Sequence, residues 1–283
     1  MQQPQIAQLG AEEWRTERGV RWLAELDSQE AMLTEIGEAL LAQASPKPGM
    51  NIIDIGCGGG WTSRMAAKAA GPDGHVCGLD ISPELVAEAQ RRAQAEGIGN
   101  LDFVCGDASA SVPENAPFDI LMSRFGVMFF SDPLAAFRHM RGLLKPGGMA
   151  HFAVWAAPQE NRWMTGMGEV VGRHIPLPPP DPAAPGPFSL SDPAHFGALL
   201  SDAGFGMQQF TPWRGFIRPG AGLPPDKAAD FAVRIFAFAD MLEKAEPEVR
   251  DAVCRDLTLF FEGYDTPGGV AVPGTAWLVR AGA

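Results

Sequence analysis

The chain has 283 residues, near the upper size for one hydrophobic core, so a single domain with a sizeable insertion is expected. Apolar residues make up 46% and charged residues 20%, a globular balance that excludes a disordered chain. The net charge of −12 argues against nucleic acid and against an anionic membrane surface, both of which attract Lys- and Arg-rich proteins.

Residues 11–44 read as one or two amphipathic helices, with Leu33, Ile36 and Leu40 on one face. Pro46-Lys47-Pro48-Gly49 stops that segment, and strands then alternate with helices, the signature of βαβ units and a parallel sheet. The strands are expected at 50–55, 75–80, 101–105, 118–123 and 149–155. Helices are expected from Trp61 to Ala70, from Pro83 to about Gly97 behind a Ser82 cap, and after Asp132-Pro133. The rhythm then breaks at a proline-dense stretch, Ile175 to Pro182, which favours extended geometry and cannot lie inside a sheet. A helix near 192–203, an extended stretch near 206–218, helices over 227–243 and 247–263, and a strand from Thr275 to Arg280 complete seven strand candidates.

The first strand runs into Asp54-Ile55-Gly56-Cys57-Gly58-Gly59-Gly60, and Asp80 ends the second. A glycine-rich turn with an acid at the tip of the next strand builds a nucleoside site at the carboxyl edge of a parallel sheet. The dinucleotide fingerprint G-x-G-x-x-G fails, because counting from Gly56 and Gly58 its third glycine is Trp61. An NAD-linked oxidoreductase is disfavoured on that ground. Four cysteines, at 57, 77, 105 and 254, show no Cys-x-x-Cys pair or metal-ligand spacing. With no basic-then-apolar leader in Met1 to Gln5 and no long apolar run, the chain reads as cytoplasmic.

The pattern D-x-G-x-G-x-G, with Asp80, Gly106-Asp107, Phe118-Asp119, Leu144-Lys145-Pro146-Gly147-Gly148 and Ala276-Trp277-Leu278-Val279, resembles class I S-adenosylmethionine-dependent methyltransferases. Within them it is most similar to the small-molecule enzymes of ubiquinone and menaquinone biosynthesis. The resemblance implies a Rossmann-like α/β fold, a seven-stranded mostly parallel sheet with helices on both faces and a helical cap. Its last strand would run antiparallel between its neighbours. Residues 1–45 would form an N-terminal cap segment, and 46–283 the methyltransferase domain with cap insertions near 156–200 and 220–264.

The resemblance also implies a cofactor, S-adenosylmethionine, and roles for its ligands. Gly56 and Gly58 would touch the methionine part, near Asp54, whose charge suits an ammonium and a sulfonium. Asp80 would accept the ribose hydroxyls, Ile81 would pack on adenine, and Asp107 with the Ala108 N–H would meet the adenine edge. Ser123 would lie near the methionyl end through its main chain. Trp22, Arg124, Phe125 and Trp155 are the candidates for touching substrate, with Trp163 in the same region. His151, His174 and Glu160 are the available general bases, although alignment alone supplies much of the acceleration for a cofactor that carries its own leaving group. No metal is expected; only Asp132 or Glu160-Asn161 could serve as ligands.

The implied reaction is methyl transfer to an oxygen, nitrogen or carbon of a small aromatic or apolar molecule. The alternatives are an enzyme that uses the sulfonium without transferring methyl, and a non-catalytic cofactor-binding module. The sequence implies neither nucleic acid nor membrane insertion, and it leaves a homodimer open.

Overall fold

The computed structural model describes residues 11–177, 181, 184–236 and 238–283. Met1 to Gln5 and four of the prolines in the 175–182 stretch lie outside the described residues.

Four short helices open the described chain: α1 (Ala11–Arg15), α2 (Glu17–Ala24), α3 (Leu26–Met32) and α4 (Thr34–Ala44). The alternating unit follows: β1 (Asn51–Ile55), α5 (Trp61–Ala70), β2 (His75–Asp80), α6 (Pro83–Ala95), β3 (Leu101–Cys105), β4 (Phe118–Arg124), α7 (Pro133–Gly142) and β5 (Leu144–Trp155). Then come α8 (Arg162–Val171), α9 (Pro193–Asp202), β6 (Gly206–Ile217), α10 (Pro225–Ile235), α11 (Ala239–Glu243), α12 (Pro247–Glu262) and β7 (Val272–Gly282).

The strands form one sheet in the order β3-β2-β1-β4-β5-β7-β6. The first five are parallel, and β7 runs antiparallel to both β5 and β6. The expected fold class is borne out. Strand order reverses between β1 and β4, so a crevice opens outside their carboxyl ends, where ligands bind in open α/β sheets.

Local chemistry sets the boundaries. Ser82 caps α6 by accepting from the Leu85 N–H at 3.4 Å, and Asp132 caps α7 by accepting from Ala135 N–H at 3.0 Å; each cap precedes a proline. Alternation divides the strands between two packed faces. Ile52, Ile120 and Met122 meet Ala66, Ala67 and Ala70 of α5. On the other face Phe152 meets Phe137 of α7 and Phe196 of α9 with ring centroids 5.4 and 5.9 Å apart.

Three expectations change. The helical segment 11–44 is broken at Thr16, Glu25 and Leu33 into four helices rather than one or two. Its face is as read, since Leu33, Ile36 and Leu40 are all buried. The helix over 227–243 is interrupted at Phe236, whose ψ of 170° is extended, so that its ring packs against Trp163 and Phe231. The region after β5 also holds a helix, α8, whose Trp163, Met167, Val170 and Val171 are buried.

Candidate active site

The glycine turn between β1 and α5 takes its shape from φ values only glycine adopts easily: +66° at Gly56, +54° at Gly58 and +78° at Gly60. At Gly56 there is a second constraint, because a Cβ there would lie 2.8 Å from the Gly126 Cα at the tip of β4. At Gly58 a Cβ would meet nothing within 4 Å. The loop is therefore pinned against β4 on one side and open to a ligand on the other.

Asp80 holds this loop in place. Its Oδ2 accepts from the Gly58 N–H at 2.8 Å and its Oδ1 from the Ser82 N–H at 2.9 Å. Burial raises its pKa, and the backbone donors of Ser82 and Gly58 oppose that. Each carboxylate oxygen keeps a further lone pair, so two hydroxyls can still be accepted. Asp54 lies fully buried at the end of β1, accepting from the Ser63 hydroxyl at 2.6 Å. Its other oxygen, Oδ1, is buried with no partner, and burial pushes its pKa up to about 6. An uncompensated carboxylate oxygen beside an open glycine turn suits a cationic ligand, so the residues fit the ammonium end of S-adenosylmethionine.

The next strand supplies the third acid. Gly106 N–H donates to the Asp80 carbonyl at 2.9 Å, which sets the start of the 106–111 turn beside Asp80 and Ile81. Asp107 Oδ1 accepts from the Ser109 N–H and hydroxyl at 2.8 and 2.7 Å. One oxygen of Asp107 thus shapes the turn. Ala108 packs half-buried beside it, and the Ile81 carbonyl accepts from the Cys105 thiol at 3.7 Å. Ser123 is fully buried and donates its hydroxyl to the Ile55 carbonyl at 2.7 Å, tying β4 to β1 below the crevice. Asp54, Gly56, Gly58, Asp80, Ile81, Asp107, Ala108 and Ser123 therefore share the carboxyl edge of β1–β4.

The substrate candidates divide. Phe125 sits at φ +64° just past β4, and its ring stacks on Trp155 at 4.1 Å and 12°. Trp155 meets Trp163 at 4.9 Å and Trp163 meets Phe236 at 5.6 Å, so an aromatic row runs from the sheet edge to α10. Trp22 is half-buried, edge-on to Trp14, which in turn meets Phe129. Arg124 turns inward instead: it donates to the Leu33 carbonyl at 3.2 Å and lies over the Trp61 ring at 5.3 Å, clamping β4 to the N-terminal helices.

The three bases are engaged or remote. His151 is buried on β5, with Nδ1 3.2 Å from Gln43 Oε1, and burial with nearby Arg280 lowers its pKa to about 4. It lines a cavity of about 410 Å³ that includes Met50, Asp119 and Lys145, at the amino edge of the sheet and away from the glycine turn. His174 pairs with Asp256 at 2.9 Å between α8 and α12. Glu160 stands in the short turn before α8, and no interaction draws it to the crevice. Of the metal-ligand candidates, Asp132 caps α7, and Asn161 is saturated by backbone, donating to the Ala156 and Thr275 carbonyls and accepting from Thr275 N–H. Among the described residues no group of three or more His, Cys, Asp or Glu is placed to hold a metal. No helix among them is long and apolar enough to cross a membrane.

Sequence reasoning missed how closely the N-terminal helices approach the site. A Cβ at Gly19 would lie 2.4 Å from Ser82 Oγ, and one at Gly37 2.5 Å from the Trp61 ring. A Cβ at Gly59 would lie 2.6 Å from Leu26 and 2.7 Å from Glu30 Oε1. Glycines inside helices were the available signal, since such a glycine usually marks close packing.

Comparison with known proteins agrees with this geometry. Residues 52–148 match the family model described as a methyltransferase domain. Over 119 residues the chain is 32% identical to aklanonic acid methyltransferase DauC of Streptomyces sp. (strain C5), covering 42% of this chain and 54% of the relative. Over 108 residues it is 34% identical to the ubiquinone/menaquinone biosynthesis C-methyltransferase UbiE of Burkholderia cenocepacia, covering 38% and 44%. The chain thus spans about half the length of the curated relatives it matches. The crystal structure of the YcgJ protein from Bacillus subtilis superposes with a TM-score of 0.57 at 22% identity, over 88% of this chain and 98% of that one, a likeness of fold. Residues 52–148, from β1 to the start of β5, thus match a methyltransferase domain, in line with the S-adenosylmethionine-dependent family that the motifs resemble.

Proposed function

We propose that this chain transfers a methyl group from S-adenosylmethionine to a nucleophilic atom of a small, largely apolar or aromatic molecule, in the cytoplasm. The observation that carries the reading is the series Asp54, Asp80 and Asp107 at the ends of β1, β2 and β3 around a glycine turn with an open face at Gly58.

Bound there, the cofactor would supply an activated methyl group and its own neutral leaving group. Asp80, already oriented by two backbone N–H donors, would accept the ribose hydroxyls. The second oxygen of Asp107 would meet the adenine amino group. The free Oδ1 of Asp54 would face the ammonium side. Phe125, Trp155 and Trp163 pack on one another and exclude water, and they carry no group that could remove a proton. The acceptor atom would therefore be nucleophilic by its own chemistry, as an amine, an enolate or an acidic phenol is.

The test is incubation with methyl-labelled cofactor and a panel of amines, phenols and quinols, following both labelled product and S-adenosylhomocysteine. Labelled product with matching S-adenosylhomocysteine is expected. Tight cofactor binding without transfer to any acceptor would sink the catalytic reading.

A further inference from the structure

Helix α3 brings two polar side chains into the interior with bonds unmade. Glu30 is 8% exposed. Its Oε2 lies 3.2 Å from Arg92 Nη1 and 3.8 Å from Arg64 Nη2, while its Oε1, the atom over Gly59, has no partner. Gln29 is 0% exposed, and neither its amide oxygen nor its amide nitrogen has a partner. It lies on the same buried arc of the helix, about 100° round from Glu30. Leu26 and Glu30 of this helix meet the glycine turn at Gly59, and the helix also packs against the turn at Pro219–Ala221.

A buried polar atom without a partner is destabilising, and native folds keep few of them. Here three such atoms, Glu30 Oε1 and both amide atoms of Gln29, sit on one short helix that touches the glycine turn through Glu30. With Asp54 Oδ1 they offer acceptors for an ammonium and one amide donor for a carboxylate. That is the complement of a zwitterion.

We propose that α3 completes the cofactor site at its amino-acid end, Glu30 Oε1 accepting from the methionyl ammonium and the Gln29 amide pairing with the methionyl carboxylate. The proposal rests on the reading that the site takes S-adenosylmethionine. It makes the N-terminal helices part of cofactor recognition as well as of a cap over substrate.

The test is calorimetric titration of the purified chain, as wild type, Gln29→Leu and Glu30→Gln, with S-adenosylhomocysteine and with 5′-methylthioadenosine, which lacks the amino-acid end. Gln29→Leu should weaken S-adenosylhomocysteine roughly ten- to a hundredfold, the worth of one lost hydrogen bond to a charged group. It should leave 5′-methylthioadenosine binding unchanged. The same variant should hold or raise the melting temperature of the ligand-free protein, because an apolar side chain of similar size replaces an unpartnered amide. Equal weakening of both ligands, or unchanged S-adenosylhomocysteine affinity, would overturn the proposal. Should Glu30→Gln fail to fold once its pairing with Arg64 and Arg92 is lost, Gln29→Leu still decides the matter. A wild type that binds neither nucleoside would remove the cofactor reading itself, whereas a wild type that binds both beside unaffected variants removes only the role of α3.

Discussion

The two halves of the carboxyl edge are built from opposite materials. Over β1–β3 stand three acids, positive-φ glycines and backbone donors, with Asp80 bonded to Gly58 and Ser82. Over β4 and β5 stand stacked rings, Phe125 on Trp155 and Trp155 against Trp163, all less than 9% exposed. Fixed polar atoms can select a ligand by charge and hydrogen-bond direction; rings select by shape and apolar area. The first half is therefore suited to one invariant cofactor. The second, on the proposed reading, is the half that meets the acceptor.

Breaking the aromatic half should give the largest effect. Trp155→Ala removes a buried ring from the row, and such truncations cost about 3–5 kcal/mol. Denaturant unfolding should show a loss of that size, with S-adenosylhomocysteine affinity retained in the folded fraction. A joint collapse of stability and intrinsic affinity would mean that the halves are not independent.

Asp80→Ala strikes the other half. It removes the acceptor of two backbone N–H groups and, on the proposed reading, of the ribose hydroxyls, so S-adenosylhomocysteine should bind about 10²–10³-fold more weakly. Asp80→Asn, which keeps one acceptor oxygen, should fall between. Stability should change less than in Trp155→Ala, since burial of Asp80 raises its pKa and disfavours its charged form in the folded protein.

These two halves also differ in how far they can be read from sequence. Asp54, the glycine turn, Asp80 and the Ser82-Pro83 cap are local features: neighbouring residues fix the turn, and the apolar runs before them fix the strands. Glu30, Gln29 and the inward turn of Arg124 are not local. Arg124 ends a strand like any exposed residue, and the Leu33 carbonyl and the Trp61 ring, from distant segments, draw it in. The breaks at Thr16, Glu25 and Leu33 carry no local signal either, for no proline stands there. An acid and an amide at the centre of an otherwise apolar helix face were the legible hint of a polar site.

Acid titration sharpens the contrast, because β1 and β5 each bury one group with the opposite pH response. Asp54 has its pKa raised from 3.8 to about 6, so the folded state holds its proton more tightly than the unfolded chain. Stability from this residue is highest at low pH and falls as pH rises from about 4 to 6, by on the order of 3 kcal/mol. His151 has its pKa lowered from 6.5 to about 4, so the folded state keeps it neutral. Its contribution is intact above about pH 6.5 and is lost as pH falls to about 4, by a similar amount. The two slopes offset each other in the wild type. Asp54→Asn should therefore make the ligand-free protein more acid-sensitive between pH 6.5 and 4, and His151→Gln less so. Melting temperatures across that range check both signs, and the same slope in both variants would refute the assignment.

The smallest effect should come from the bridges that join the N-terminal helices to α10 and α11. Arg21 on α2 pairs with Asp240 and, at 3.5 Å, with Glu243 of α11; Arg234 on α10 pairs with Glu25 at 2.9 Å. Asp240 and Glu243 are 49% and 75% exposed and Arg234 is 53% exposed, so water and salt screen these charges. Arg21→Ala and Arg234→Ala should each change unfolding free energy by less than about 1 kcal/mol, less still at high salt. Their value lies in the comparison: the pairs tie α2 and the α2–α3 junction at Glu25 to α10 and α11. If the N-terminal helices serve the cofactor half alone, these variants should leave acceptor KM unchanged. A raised acceptor KM with unaltered S-adenosylhomocysteine affinity would show that the cap couples the halves, and that the polar half helps to shape the aromatic one.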